Sequence, residues 1–137
     1  MDGLSGTASI VAVLKLTGAV IGYLNDVANA PKECQRCAIE ASNIQNLLIN
    51  LRYRLEQGQA GVPWFTAIRA LDIENGPLDQ YKRALEQLRS RLEVQDGVQG
   101  IKRRLSWKFS KEEVSNILAR MERLSSLVNI ALEMDHL

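Results

Sequence analysis

The feature that most constrains the fold of this chain is a nearly unbroken apolar run close to its start. From Ala8 to Leu24 almost every residue is apolar or glycine, and polar side chains interrupt the run only at Ser9, Lys15 and Thr17. Alternation with a period of two, bounded by turn residues, is found neither here nor elsewhere in the chain, so the run is predicted to be a helix. A helix that is apolar on nearly all sides is typical either of the centre of a helical bundle or of a segment that enters lipid.

The length and charge of this run argue against a lone, permanent transmembrane helix. Residues 8–24 would span ~25 Å at about 1.5 Å per residue, slightly less than the ~30 Å hydrocarbon core of a bilayer. Lys15 at the bilayer centre would cost roughly 2.5–3.5 kcal/mol. In an oligomer, Lys15 would face a water-filled lumen while Gly18 and Gly22 pack helix against helix. In a bundle, the same small residues would let neighbouring helices approach closely. The two roles are compatible, because a helix that is buried at rest can be the one that is released.

The rest of the chain shows apolar residues at three-four spacing, which predicts four or five helices in all. The first is predicted over Ser5 to about Asn29, the second over Pro31 to Gln57, a short third from Pro63, the fourth from Pro77 to about Leu92, and the last after a capping box at Ser110–Glu113. Amphipathic helices joined by short loops favour antiparallel packing. The predicted fold class is all-α: an antiparallel helical bundle of four to five helices with a hydrophobic N-terminal helix, forming a single domain over residues 1–137.

Composition and motifs argue against an enzyme. The sequence shows no phosphate-cradling glycine loop and no nucleophile beside a base, and its one histidine is His136. Cys34 and Cys37 form a single CxxC without a second Cys or His pair, whereas zinc needs four ligands. Both are therefore predicted to be buried or half-buried thiols in a reducing cytosol. We expect no catalytic site, no metal and no cofactor.

A second unusual feature is the segment 101–111, in which cations alternate with large apolar side chains and no acid occurs. The cations are Lys102, Arg103, Arg104, Lys108 and Lys111, and the apolar residues among them include Leu105, Trp107 and Phe109. This composition suits an anionic membrane surface, because the charges meet headgroups while the rings lie at the interface. Alternatively, Trp107 and Phe109 form a hydrophobic plug under a loop and the cations are simply solvated. A net charge of +1 and 5% aromatic residues make nucleic acid the least favoured partner.

Two stretches of the chain resemble the HeLo-like N-terminal domain of fungal NOD-like STAND (NACHT) receptors. The first is the opening Met-Asp-Gly-Leu-Ser-Gly-x-Ala-Ser-Ile-Val-Ala-Val, residues 1–13. The second is Leu-Ser-Trp-Lys-Phe-Ser-Lys-Glu-Glu-Val, residues 105–114, followed by a leucine-rich helix. The resemblance covers essentially the whole chain, and the opening motif is its more specific part. Lys108 departs from the family, in which proline is common at this position.

The resemblance implies a helical bundle at the head of a longer receptor, related to the HeLo domain of fungal heterokaryon incompatibility proteins. Its implied function is that of a cell-death effector in fungal immunity, which moves from the cytoplasm to the plasma membrane, oligomerises and permeabilises it. The implied partners are anionic membrane lipids, further copies of the domain, and the C-terminal NACHT and repeat regions of the same receptor. Nucleic acid is not among them.

On this hypothesis the functional residues fall into two groups. Membrane insertion is assigned to Leu4, Ile10, Val11, Leu14, Gly18, Ile21 and Gly22, and lipid binding to Lys102, Arg103, Arg104, Trp107, Lys108 and Lys111. Release of the first helix would use Gly3 and Gly6 as a flexible start and residues 29–31 as a hinge. The alternative is a protein-interaction or self-association adaptor whose exposed helix faces recruit a partner without any membrane step.

Overall fold

The structure is a computed structural model that describes residues 2–58, 62–96 and 105–134, with side chains for 7–58, 64–93 and 105–134. It confirms the predicted all-α bundle with an apolar N-terminal helix. The helices are α1 (Asp2–Asn25), α2 (Lys32–Gln57), α3 (Val62–Leu71), α4 (Pro77–Asp96) and α5 (Lys111–Met134).

Four of these helices form the bundle and the short α3 packs on it. Around the bundle the order is α1, α2, α5, α4, with α1 and α4 in contact again, and α3 lies against α5 and α1. Side-chain contacts give the directions. Ser9 and Thr17 of α1 contact Asp72 and Tyr81 in the same order along the chain, so α1 and α4 run in the same direction. Cys34 near the start of α2 contacts the Leu24 carbonyl oxygen near the end of α1, so α1 and α2 are antiparallel as predicted. The parallel neighbours α1 and α4 depart from the fully antiparallel arrangement that was predicted.

Local backbone rules account for the C-terminal end of α2 and the start of α5. Glu113 N–H donates to Ser110 Oγ over 3.1 Å, and Ser110 N–H donates to Glu113 Oε1 over 3.0 Å, which is the predicted capping box. Gly58 follows α2 with a φ of 65°, a left-handed conformation that suits glycine, and its N–H donates to the Arg54 carbonyl oxygen. These positions agree with the sequence because the residues that stop or start each helix are local.

The ends of α1 differ from the prediction. The helix begins at Asp2 rather than Ser5, so Gly3 and Gly6 lie inside it and do not form a flexible start. It ends at Asn25 rather than about Asn29, because Asp26 and the next residues pair with the chain that precedes α5. That pairing joins residues far apart in sequence, so no local sequence pattern predicts it.

The core predicted from the three-four spacing is confirmed on the two helices with the clearest stripes. The buried residues of α2 are Cys34, Cys37, Ala41, Ile44, Leu48, Leu51 and Leu55, and those of α5 are Val114, Ile117, Leu118, Met121, Leu124, Val128, Ala131 and Leu132. Each buried leucine or isoleucine gives roughly 1.5–3 kcal/mol relative to an exposed one.

Candidate functional site

The helix α1 is a wall of the bundle and not its centre. Its buried apolar side chains are Ile10, Val13, Leu16, Val20 and Leu24, and its exposed positions include Ala8, Ala12, Lys15, Gly18, Ala19 and Gly22. Only 33% of the window from Thr7 to Asn25 is buried. The helix is therefore apolar on its outer face as well, where the bundle does not require it.

The prediction that small residues of α1 let helices approach closely inside the bundle is wrong at the two glycines. A Cβ atom on Gly18 would meet only Gln45 Nε2, at an ordinary contact distance of 3.6 Å, and one on Gly22 would meet nothing within 4 Å. Both glycines face outward because α2 and α4 pack on the other sides of α1. Their predicted role between copies of the helix in an oligomer stays a prediction.

The residues assigned to membrane insertion lie on one helix but not on one face. Ile10 is 3% exposed, whereas Val11, Leu14 and Ile21 are half-buried at the edges of the outer face. The side chain of Leu4 lies outside those that the structure describes. Among the described helices, α1 is the one long and apolar enough to cross a membrane, a property that the core helix of a soluble protein can share.

A buried hydrogen-bond pair holds α1 against α4. Thr17 Oγ1 donates to the Val13 carbonyl oxygen over 2.8 Å and lies 2.8 Å from the Tyr81 hydroxyl. Since the Thr17 proton is already committed to that carbonyl, Tyr81 is the donor in the second bond. Thr17 and Tyr81 are both 0% exposed, and burial raises the pKa of Tyr81 against the opposing effect of its bond to Thr17. The sequence marked Thr17 only as an interruption of the apolar run and gave no sign of its partner.

A second polar contact lies nearer the start of α1. Ser9 Oγ donates to Asp72 Oδ2 over 3.4 Å, in the turn between α3 and α4. Partial burial raises the pKa of Asp72, and the Ser9 hydrogen bond opposes that shift. Movement of α1 out of the bundle would break this contact together with the Thr17–Tyr81 bond.

The two cysteines of α2 are buried free thiols, and Cys34 lies against the end of α1. Cys34 is 1% exposed and Cys37 0%, and Cys34 Sγ donates to the Leu24 carbonyl oxygen over 3.7 Å. Burial raises the pKa of Cys34 to about 11 and that of Cys37 to about 12, the latter also through the neighbouring Cys34. The predicted buried thiols are confirmed, and their low reactivity makes them reporters of any opening between these helices.

The basic-aromatic segment is only partly described, since Lys102, Arg103 and Arg104 lie outside the described residues. In the part that is described, Trp107 and Phe109 are half-buried against the core, with ring centroids 4.6 Å apart. In the folded bundle these two rings therefore form the hydrophobic plug that was the alternative interpretation of the segment. Lys108 and Lys111 are exposed and available to an anionic surface.

Arg91 of α4 fixes this segment in place, a role the sequence did not indicate. Its guanidinium lies 4.8 Å from the centroid of the Phe109 ring, and its Nη1 donates to the Lys108 carbonyl oxygen over 3.2 Å. Arg91 also forms an ion pair with Glu113. Hydrogen bonds from Arg91 and from the Ser110 backbone N–H lower the pKa of Glu113 to about 2.

The end of α1 and the basic-aromatic segment are joined by backbone hydrogen bonds. Leu105 N–H donates to the Asp26 carbonyl oxygen over 3.3 Å, and Ala28 N–H donates to the Leu105 carbonyl oxygen over 2.9 Å. Leu105 itself is 1% exposed. The proposed hinge at residues 29–31, where Asn29 has a φ of 50°, therefore begins next to a fixed point and not in a free loop. The two features that stood out in the sequence are in contact.

The described part of the chain holds no group of three or more His, Cys, Asp or Glu side chains placed to bind a metal ion. Comparison of the chain with protein-family models, with curated proteins and with solved structures finds no match.

Proposed function

We propose that this chain is the membrane-targeting cell-death effector domain of a fungal NLR-like receptor, which acts by lipid binding, oligomerisation and permeabilisation of the membrane through α1. The observation that carries the proposal is the outer face of α1, which is apolar although the bundle leaves it in water. At rest the domain would be cytoplasmic, and on activation it would move to the plasma membrane. The resemblance of residues 1–13 and 105–114 to HeLo-like domains supports the same function.

The dimensions of α1 suit a bilayer. The apolar stretch Thr7–Asn25 has 19 residues. At about 1.5 Å per residue it spans roughly 28 Å, close to the ~30 Å hydrocarbon core. The alanines and glycines of the outer face would allow copies of the helix to pack closely in the membrane. Lys15 would then face the wet side of the assembly.

Release of α1 has several identifiable costs. The apolar side chains that α1 withdraws from the core are buried again in lipid, so their transfer largely cancels. The core side chains of α2 and α4 that packed on α1 lose that cover, and both the Thr17–Tyr81 bond, at about 1–3 kcal/mol, and the Ser9–Asp72 contact are broken. Oligomerisation, which can cover the exposed core again, and attraction between anionic lipid and exposed cations, at about 1 kcal/mol each near the surface, would oppose these costs.

The basic segment would make the first contact with lipid. Lys108 and Lys111 are exposed, while Trp107 is packed against the core. The cations would therefore contact the lipid headgroups before the Trp107 ring does. Because Leu105 is bonded to the backbone on both sides of Val27, displacement of this segment acts directly on the end of α1.

A vesicle leakage assay tests the proposal. The chain is expected to release a trapped dye from anionic vesicles and to leave neutral ones intact. The double variant Lys108→Glu, Lys111→Glu should lose most of this activity. The matched control is the double variant Lys32→Glu, Arg123→Glu, which makes the same change of charge at two other exposed positions and should retain activity. A folded protein that causes no leakage at any concentration would contradict the proposal.

Thiol labelling tests the release of α1 separately from leakage. Cys34 and Cys37 are expected to react slowly in buffer, because burial both covers them and raises the pKa of each thiol. Anionic vesicles should accelerate labelling by about tenfold or more if α1 leaves α2 (a tenfold change in the open population is about 1.4 kcal/mol). Labelling that is unchanged while leakage proceeds would show that the membrane step does not use α1.

The adaptor alternative is favoured by one specific observation on the outer face of α2. Ile39, Ile49 and Tyr53 are 61%, 52% and 61% exposed. Large apolar side chains in water are typical of protein-binding surfaces when they cluster along a helix. A defined partner whose binding is lost in Ile39→Glu, Tyr53→Glu and is indifferent to charge reversal at Lys108 and Lys111 would favour this function over the membrane one.

A further inference from the structure

A groove lies where one edge of the outer face of α1 meets α4. Its volume is about 280 Å³, and the outer-face residues Ala12 and Ala19 line it on the α1 side. Because these side chains end at Cβ, they leave the groove open where larger residues would close it. Its charged lining consists of Lys15 from α1 and of Lys82, Glu86 and Arg89 from α4.

The charges of this groove are not balanced. Three cations and one carboxylate, that of Glu86, line the groove, and Glu93 next to it offsets the charge of Arg89. Within the described part of the chain, Lys15 and Lys82 form no ion pair, and Arg89 pairs only with Glu93, over 3.6 Å. Like charges gathered around a concave surface raise the local concentration of anions. The structure therefore has unsatisfied positive charge at a place with room for a ligand.

We propose that this groove binds a phosphomonoester, held between Lys15 on α1 and the pair Lys82 and Arg89 on α4. A phosphate would be attracted by the two lysines, which have no ion-pair partner among the described residues, and arginine and lysine are the side chains that recognise it best. Two sources offer this chemistry: the headgroup of a phosphorylated inositol lipid and a soluble inositol phosphate. Binding of a phosphomonoester in the groove does not depend on the proposed membrane function. Only the choice of a lipid as its source rests on that function.

Such a ligand would act on the release of α1. Because it contacts both α1 and α4, it binds the closed bundle and loses its site when α1 leaves. A ligand with this preference stabilises the closed state in proportion to its concentration above its dissociation constant. The groove is thus a site that recruits or holds the resting domain, and it must be vacated before insertion.

Titration of the chain with inositol trisphosphate, followed by calorimetry and by thermal unfolding, tests the site. At a ligand concentration a hundred times the dissociation constant, Tm should rise by about 5–10 °C. Lys15→Gln and Lys82→Gln should each weaken binding about threefold or more, whereas Glu86→Gln should tighten it by a similar factor. The control Arg123→Gln removes the same charge from an exposed position on α5 and should change binding little. Equal weakening in the Arg123 control, or no rise in Tm, would overturn the proposal.

Vesicles separate the two sources. Binding to neutral vesicles doped with phosphatidylinositol phosphate that is lost in Lys15→Gln, Lys82→Gln supports the lipid source, and binding of the soluble trisphosphate alone supports the soluble one. The two proposals also fail separately. A groove-dependent rise in Tm without any leakage would leave this site standing and reject the membrane function. Leakage that persists while the groove variants change the binding of neither ligand would reject this site and leave the membrane function standing.

Discussion

The helices α1 and α5 have the same length and opposite surfaces. Each has 24 residues and buries one apolar stripe in the same bundle. Among the described side chains, the outer face of α5 carries charged residues such as Glu112, Glu122 and Arg123 beside the exposed Ile130, whereas that of α1 carries alanine, glycine and Lys15 as its one charge. Since packing demands only one stripe from each helix, the bundle does not require the second apolar face of α1. The proposed membrane step would use this face.

The largest effects should fall on the inner faces, where the two helices are expected to behave alike. Leu24→Ala in α1 and Leu124→Ala in α5 each remove a side chain that is at most 2% exposed. Each should lower the free energy of unfolding by about 2–5 kcal/mol, through lost burial and the cavity left behind. Urea unfolding followed by circular dichroism measures both. A cost at Leu24 far below that at Leu124 would show that α1 is only loosely held, and would break the equivalence.

A smaller effect on stability is expected from the hydrogen bond between α1 and its neighbour α4. Tyr81→Phe removes the donor to Thr17 and leaves the Thr17 bond to the Val13 carbonyl oxygen intact. We expect a loss of about 0.5–1.5 kcal/mol in stability, together with faster thiol labelling and faster leakage, because this bond must break when α1 leaves. Tyr53→Phe alters an exposed tyrosine and serves as the control. Loss of stability without any change in labelling would assign the bond to the core alone.

The outer face of α1 offers a substitution that should raise stability and lower activity. At Gly22, an added side chain meets nothing within 4 Å. Gly22→Gln should therefore stabilise the fold by about 0.5–1 kcal/mol, the helix penalty of glycine, while it places a polar amide on the face proposed to enter lipid. Ser126→Gln on the exposed side of α5 is the matched control and should leave leakage unchanged. A Gly22 variant with full leakage would mean that this face does not meet lipid or another copy.

Most of the fold could be predicted because three of the long helices carry a single apolar stripe and local signals at their ends. Gly58, Pro77 and Ser110 each mark a helix end by backbone chemistry that needs no knowledge of the rest of the chain. The orientation of α1 could not be predicted in this way. A helix that is apolar on all sides gives no preferred stripe, so its inner face was decided by packing against α2 and α4.

The parts of the candidate site that the sequence missed are contacts between distant residues. Thr17 and Tyr81 are 64 residues apart, and neither stands in a motif. In the sequence, Arg91 looks like any other surface charge of α4. Its contacts with Phe109 and Glu113 are made only in the folded chain. In contrast, the assignment of Lys102–Arg104 to lipid binding rests on composition alone and falls outside the described residues, so it stays a prediction.

The start of α5 provides the last and smallest contrast, a pH-dependent one. The pKa of Glu113 is lowered from 4.5 to about 2 in the folded chain, mainly by Arg91 and then by Ser110. A carboxyl whose pKa is lower in the folded state stabilises the fold above its unfolded pKa, and this contribution is lost as the pH falls through the folded value. Stability due to this cap should thus be complete above about pH 4.5 and decline toward pH 2. Thermal unfolding across this range should show a weaker acid dependence in Glu113→Gln than in the natural chain. A Glu113→Gln variant with an unchanged acid profile would mean that the ion pair with Arg91 is screened by water, and that Arg91 holds the segment through the Lys108 carbonyl oxygen and the Phe109 ring.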